Sequence, residues 1–332
     1  MTVSRDQYLR RAAIAATFAF GSLSSPAHSQ EWPARPLTMV VPTAAGGGAD
    51  IVGRILALRM SELLRQQVVV ENVGGAGGMT GSARVAKAAP DGYQFLLGNL
   101  GTHAASQTFY KNPLYNAARD FATVALIAEI PFVLVTRKDL PAGNLQEFIA
   151  YAKGNHAKMQ YGSGGSGSAT HLACVLLNAA IGVNITHIPY RGGAPAMQDL
   201  IAGRIDYQCL DTAIAIPQIE SEKIKAIAIL TRERSPTLPA VASAHEQGLT
   251  DFEASNWSAL FLPNGTPASI IQTLHAAAVA TMETASVQER LKELGATVVE
   301  PARRSPDYLQ KFVVSEVEKW AVAIKASGAS SD

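Results

Sequence analysis

The sequence predicts an α/β protein of two lobes, each a mostly parallel sheet flanked by helices. Two observations carry that class. Short apolar, β-branched runs alternate with helical periodicity, which is the order of parallel βαβ units with right-handed crossovers. The whole order (strand, glycine loop, helix, strand, glycine loop, helix, strand) then occurs twice along the chain. Composition agrees, since 48% of the 332 residues are apolar and 17% are charged. That balance suits a large globular chain and excludes global disorder. The 28 basic and 27 acidic residues nearly cancel, which excludes a nucleic-acid binder acting through bulk charge. No run of about 20 apolar residues appears, so a helical membrane bundle is excluded as well.

The N-terminal segment precedes the fold. Arg5, Arg10 and Arg11 stand ahead of an apolar stretch, Ala12 to Phe20, and small residues lead from there to Pro26-Ala27-His28-Ser29. This is the order of a secretory signal peptide. Cleavage is expected after Ser29, with Ala27 as the second choice, and the mature chain is expected in the periplasm. Two cysteines are too few for a disulfide framework or a four-cysteine zinc site. An exported protein can hold a Cys174–Cys209 bridge. Each cysteine sits in an apolar run, however, and nothing in the spacing places them together, so two buried free thiols are expected.

The first unit opens with Leu37 to Val41, a β-rich run between Pro36 and Pro42. The loop PTAAGGGAD, Pro42 to Asp50, follows it. Ile51, Ile55, Leu58 and Leu63 then recur at helical spacing to Leu64, with Asp50 as the expected N-cap. Gln67 to Val70 is the next strand, and ENVGGAGGM, Glu71 to Met79, the second glycine loop. A small-residue helix runs to about Ala89, and Asp91-Gly92 turns the chain into the strand Tyr93 to Leu97.

The second unit begins about 120 residues later with the strand Lys158 to Tyr161. GSGGSGSAT, Gly162 to Thr170, is its first loop, and the helix Thr170 to Ala180 carries an apolar stripe. Val183 to Ile188 is a strand, PYRGGAPAM the fourth glycine loop, and a helix to Ala202 leads into the strand Ile205 to Leu210. The tail adds strands at Lys225 to Leu230 and Trp257 to Leu262, a helical tract from Ala268 to Leu294, and a last helix from about Asp307 to Ala326. We expect this tail to pack back on the first lobe.

Glycine loops that open helices present free N–H groups at a positive dipole end, a site for carboxylate, phosphate or sulfate that needs no lysine. Such loops gather at the carboxyl edge of the strands, where open α/β sheets bind ligands. Other chemistries lack their residues. Gly162, Gly164 and Gly167 match the spacing of a dinucleotide loop, but no acidic residue ends the next strand. No phosphate-binding G-x-x-x-x-G-K-[ST] loop and no G-x-S-x-G elbow exists, and the seven histidines show no metal-ligand spacing. No catalytic residue, metal site or cofactor is therefore expected. His171, in the first turn of its helix, reads equally as a capping residue or a ligand contact, and His103 is a weaker candidate for the same cleft. Arg191 can pair with an acid or stand in solvent. Asp211, at a strand end, reads equally as holding a hinge or a loop, and is kept among the candidate ligand contacts.

Taken together, PTAAGGGAD, ENVGGAGGM, PDGYQFLLGN, YGSGGSGSATHLA, HIPYRGGAPAMQDLIAGRID and LPNGTP resemble the Bug family, the TctC-type solute receptors of tripartite tricarboxylate transporters. The resemblance runs from Trp32 to about Leu294. It implies a periplasmic-binding-protein type II flytrap. Residues 30–129 and 256–332 would form a discontinuous first lobe and residues 130–255 the second, with crossings near Glu129 and Ser255. It also implies ligand contacts at Thr43, Ala44, Gly46, Gly47, Gly48 and Asp50 in one loop. In the other it implies Ser163, Ser166, Gly167, Ser168, Thr170 and His171. Relatives often carry Asn or Thr where GGSGS stands here, so ligand identity stays open. The function implied is capture of a small organic carboxylate for uptake by a tripartite tricarboxylate transporter. Partners would be the membrane subunits or a sensor kinase, with no nucleic acid, and the protein is expected to be a monomer. A sensor-only receptor and a nucleotide-dependent oxidoreductase are the alternatives.

Overall fold

The structure is a computed structural model that describes residues 32–330. The expected leader and its cleavage at Ser29 lie outside the described residues. The first unit forms β1 (Leu37–Val41), α1 (Gly48–Leu64), β2 (Val68–Asn72), α2 (Met79–Ala86) and β3 (Gln94–Asn99). β1 pairs in parallel with both β2 and β3, as βαβ crossovers require. Gly47, not Asp50, occupies the N-cap of α1. Asp50 sits inside the first turn, where its carboxylate accepts from Gly46 N (2.8 Å), Arg54 Nε (3.0 Å) and Asn72 Nδ2 (2.9 Å). Burial alone would raise its pKa, but these donors outweigh burial and hold it below the usual range. The acid therefore ties the first glycine loop to β2.

A helical turn over Gly101–Ala105 continues into α3 (Ser106–Phe109), and β4 (Phe121–Arg137) follows. The second unit then forms after α4 (Leu145–Asn155), with β5 (Gln160–Ser163), α5 (Ala169–Ile181), β6 (Thr186–Pro189), α6 (Gly193–Ile201) and β7 (Tyr207–Asp211). β5 is parallel to β6 and β7. α7 (Thr212–Glu220) leads to β8 (Ile224–Ile229), β9 (Ser255–Pro263), α8 (Ala268–Glu283), α9 (Ala285–Glu293), β10 (Thr297–Val298) and α10 (Pro306–Ser327).

The sheet is mixed. Within each repeated unit the pairs are parallel, while β4, β9, β8 and β10 join antiparallel. β4 is the strand that links the halves. Its residues Phe121 to Pro131 pair with β9, and its residues Phe132 to Arg137 pair with β7 and β8. Phe132 and Leu134 belong to the main apolar core, and Val133 and Val135 to a second cluster with Met197, Leu200 and Ile214. Both faces of this strand are thus covered. The tail returns to the first unit: β9 lies between β3 and β4, α8 packs on β4 and α1, and α10 packs on β4 and on the Gly101–Phe109 segment. Buried Glu316 of α10 anchors that return by accepting from Trp257 Nε1 at 3.0 Å.

The cysteines correct the expectation of free thiols. Cys174 on α5 and Cys209 on β7 are bonded, with Cα atoms 5.4 Å apart. Helix α5 packs directly across β7, a non-local contact that spacing along the chain does not reveal.

Candidate ligand-binding cleft

The four glycine loops converge on one cavity of about 50 Å³. Each loop delivers a wall of it: Thr43, Gly47 and Gly48 from the first, Gly77 from the second, Gly164, Ser168 and Thr170 from the third, and Gly193 from the fourth. Pro42, Ala49, Asn99, Ala169, Asp211, Ile214 and Asn256 complete it. The N-termini of α1, α5, α6 and α7 all open here. Helix N-termini carry unpaired N–H groups and partial positive charge, so four of them make an anion-attracting pocket without a lysine or arginine. Ser168 Oγ caps α5 by accepting from His171 N at 3.2 Å and meets Thr170 Oγ1 at 3.2 Å. Thr170 Oγ1 in turn accepts from Gly164 N at 2.9 Å, so both hydroxyls are held at the cavity edge.

Asp211 is the one charged side chain among these lining residues, and it is buried. Asn256 Nδ2 donates to its Oδ1 at 2.9 Å. Burial pushes its carboxyl up to about 6, against the downward pull of that hydrogen bond.

The halves meet closely around the cavity. Ala44 N donates to Arg191 O at 3.2 Å, Tyr110 Oη to Ser166 O at 2.6 Å, and Thr212 Oγ1 to Leu294 O at 2.8 Å. Gly77, at φ +61°, sits against the backbone of Ser166 to Ser168. A Cβ on Gly101 would lie 2.6 Å from Ala169 N. The glycines here permit close approach of one half to the other.

Of the residues singled out from sequence, Thr43, Gly47, Gly48, Ser168, Thr170 and Asp211 line the cavity. The other eight do not. Ala44 and Arg191 are spent on the backbone contact between the halves, and the Arg191 side chain stands in solvent. Gly46 and Asp50 hydrogen-bond each other. Ser163 Oγ meets His187 Nε2 at 2.6 Å, behind the loop. Ser166 and Gly167 pack on Tyr110, and His171 Nδ1 accepts from Gly167 N at 3.2 Å while its ring lies tilted against His187 at 4.0 Å. His103 is also outside the cleft, fully buried and stacked on Phe261 at 3.8 Å. Gly77 and Gly193 belong to glycine loops the repeat already marked. Asn256 carries no signal in the text, because its place depends on β9 entering between β3 and β4.

The fold and this cleft define a two-lobed α/β solute-binding protein. A model of the tripartite tricarboxylate transporter family receptor, TctC, matches residues 52–329, and the chain belongs to that family. It is 42% identical over 297 residues to an Agrobacterium vitis protein of the TAR-I ttuE-ttuC′ intergenic region, covering 90% of this chain and 86% of that one. It is 33% identical over 319 residues to BugT of Bordetella pertussis, covering 96% and 97%. Among solved structures, periplasmic binding protein BugD superposes with TM-score 0.88 at 39% identity, covering 91% of this chain and 100% of that one. MatC from Rhodopseudomonas palustris, with bound malate, gives 0.86 at 38% identity, covering 88% and 100%. An R. palustris protein with adipate gives 0.86 at 33%, covering 90% and 99%. Among the described residues no helix is long and apolar enough to cross a membrane.

Proposed function

We propose that this protein is a non-catalytic periplasmic receptor that closes two lobes on a small organic carboxylate and presents it to a tripartite tricarboxylate transporter. The observation that carries this is the convergence of four helix N-termini on one cavity with no basic side chain in its wall. Malate in MatC and adipate in the R. palustris relative support a carboxylate. The lobes are residues 30–129 with 256–332, and residues 130–255. They hinge where β4 passes from β9 to β7, at Pro131 and its partner Ser255. Closure follows from ligand contacts that exist only in the closed state. The nucleotide reading loses its footing in the loop itself. A Cβ on Gly162 would lie 2.5 Å from Ile205 Cδ1, so that glycine serves strand packing. Calorimetry with dicarboxylates, amino acids and aromatic acids tests the proposal, and silence across the whole panel would overturn it.

Gly77→Ala separates closure from folding. The new Cβ meets the Ser166 carbonyl and lies 2.8 Å from Ser168 N, both on the opposite wall. We expect ligand affinity to fall by at least tenfold, about 1.4 kcal/mol. The melting temperature should drop only a few degrees, the share due to alanine at positive φ. An unchanged Kd would show that the halves need not approach this closely.

A further inference from the structure

Beyond the glycine loops, the wall of this anion site holds a carboxyl group, Asp211. Its geometry is specific. Asn256 Oδ1 accepts from Trp257 N at 3.0 Å, which turns the amide so that Nδ2 faces Asp211. Nδ2 donates to Asp211 Oδ1 at 2.9 Å, so Oδ1 is held as an acceptor. Oδ2 is the oxygen left over. It points at the first turn of α1, where a Cβ on Gly48 would lie 2.5 Å from it, and no hydrogen bond reaches it among the described residues. A carboxylate held by the free amides of α1 would therefore lie beside Oδ2.

We propose that Asp211 is a specificity-determining residue that enters the loaded site as a neutral acid and donates from Oδ2 to the bound carboxylate, so that capture of the anion takes up one proton from solvent. This rests on the carboxylate-receptor reading above. Two carboxylates side by side in a closed, water-poor site cannot both stay ionised, and one proton shared between them resolves the repulsion. Among the described residues, no basic side chain lines the cavity beside Asp211. Asp50 and Arg54 of α1 pair with each other. β4 offers Phe132 in register, and β9 offers the neutral Asn256. The N-terminus of α7, whose N-cap position Asp211 occupies without a side-chain capping bond, favours its anion. Burial overrides that pull, and the carboxyl is already raised to about 6 before any ligand arrives.

The sign follows from linkage. The loaded protein binds a proton that the free protein has released above pH 6, so affinity weakens as pH rises. With malate, succinate, glutarate and adipate as probes, Kd should rise about tenfold per unit between pH 6.5 and 8. Calorimetry at pH 8 in phosphate and in Tris should report uptake of about one proton. Asp211→Asn keeps the shape and supplies a permanent N–H donor. It should bind at pH 8 as the wild type does near pH 6, with a flat pH profile. A pH-independent Kd in the wild type, or a tenfold loss in Asp211→Asn at pH 8, would overturn the proposal. If none of the four acids binds at any pH, the receptor reading is what fails. The proposal, which rests on that reading, then falls with it, whereas binding with a pH-independent Kd leaves the receptor reading standing and overturns the proposal alone.

Discussion

Lowering the pH from 7 to 5 should cost the protein several kcal/mol of stability, because three histidines fold in their neutral form. Burial pushes His103 and His171 down to about 3 and His187 to about 4, with His187 adding to the shift at His171. Hydrogen bonds agree with neutral rings. His171 Nδ1 accepts from Gly167 N, which leaves its proton on Nε2. His103 Nδ1 lies 2.9 Å from Thr102 Oγ1, whose own proton is directed to Asn99 O at 3.1 Å, so the histidine is the donor. Its Nε2 has no partner in the core, beside Phe261 and Phe121. A second proton there would be a desolvated charge.

An unfolded histidine titrates near 6.5. Between that value and the folded values, the unfolded chain binds protons the folded chain refuses, so stability falls as pH falls. Each histidine contributes up to about 1.4 kcal/mol per unit, and three reach about 4 kcal/mol per unit. Asp211 acts in the opposite sense. Its folded pKa of about 6 lies above the ordinary 3.8, so acidification through that window stabilises the fold, by at most about 3 kcal/mol in all. The histidines win, since about 4 kcal/mol per unit exceeds the roughly 1.4 that one carboxyl can return, and the net loss is a large part of a typical 5–15 kcal/mol stability. Urea unfolding at pH 7.5, 6.5, 5.5 and 5.0 measures the slope, and a flat profile would contradict neutral burial. His103→Phe, which suits the aromatic pocket, should remove about a third of the slope.

These histidines mark how far local sequence reaches. β1 runs over Leu37–Val41, as its apolar run between two prolines indicates, and all four glycine loops stand where the repeat puts them. Such features are written in neighbouring residues. β4 is not. FATVALIAEIPFVLVTR has no period, because both of its faces are buried and Pro131 interrupts it at the change of partner. The site divides the same way. Gly47, Gly48, Ser168 and Thr170 are legible as glycine-loop residues, while the capping by Gly47 and Ser168, the place of Asn256 and the partnership of Asp211 are not. His171 reads as a cleft candidate because it sits in a first helical turn beside the Ser-rich loop, and His103 because it follows Asn99 and Gly101. Rings of that size are better buried against Phe109, Tyr161 and Phe261 than left in a cavity built for backbone contacts.

The bond between Cys174 and Cys209 should matter for both stability and the site. It closes a loop of 35 residues in sequence separation. Chain entropy for a loop of that length gives about 3–4 kcal/mol of stabilisation, which on the usual scale is about 10 °C in melting temperature. The staple also lies between the two elements that carry the second wall of the cleft. Cys174 is on α5, which opens at Ser168 and Thr170, and Cys209 is on β7, two residues before Asp211. The bridged segment contains β6 and the Gly193 loop. Reduction therefore loosens the Ser168–Thr170, Gly193 and Asp211 parts of the lining at once, and binding should weaken together with the fold. Melting with and without dithiothreitol, and a Cys174→Ala, Cys209→Ala double variant, measure the first effect. Calorimetry of the reduced protein with malate or adipate, well below its new melting temperature, measures the second. A melting point unmoved by reductant would mean that packing of α5 on β7, through Leu172, Leu177 and Tyr207, suffices without the bond.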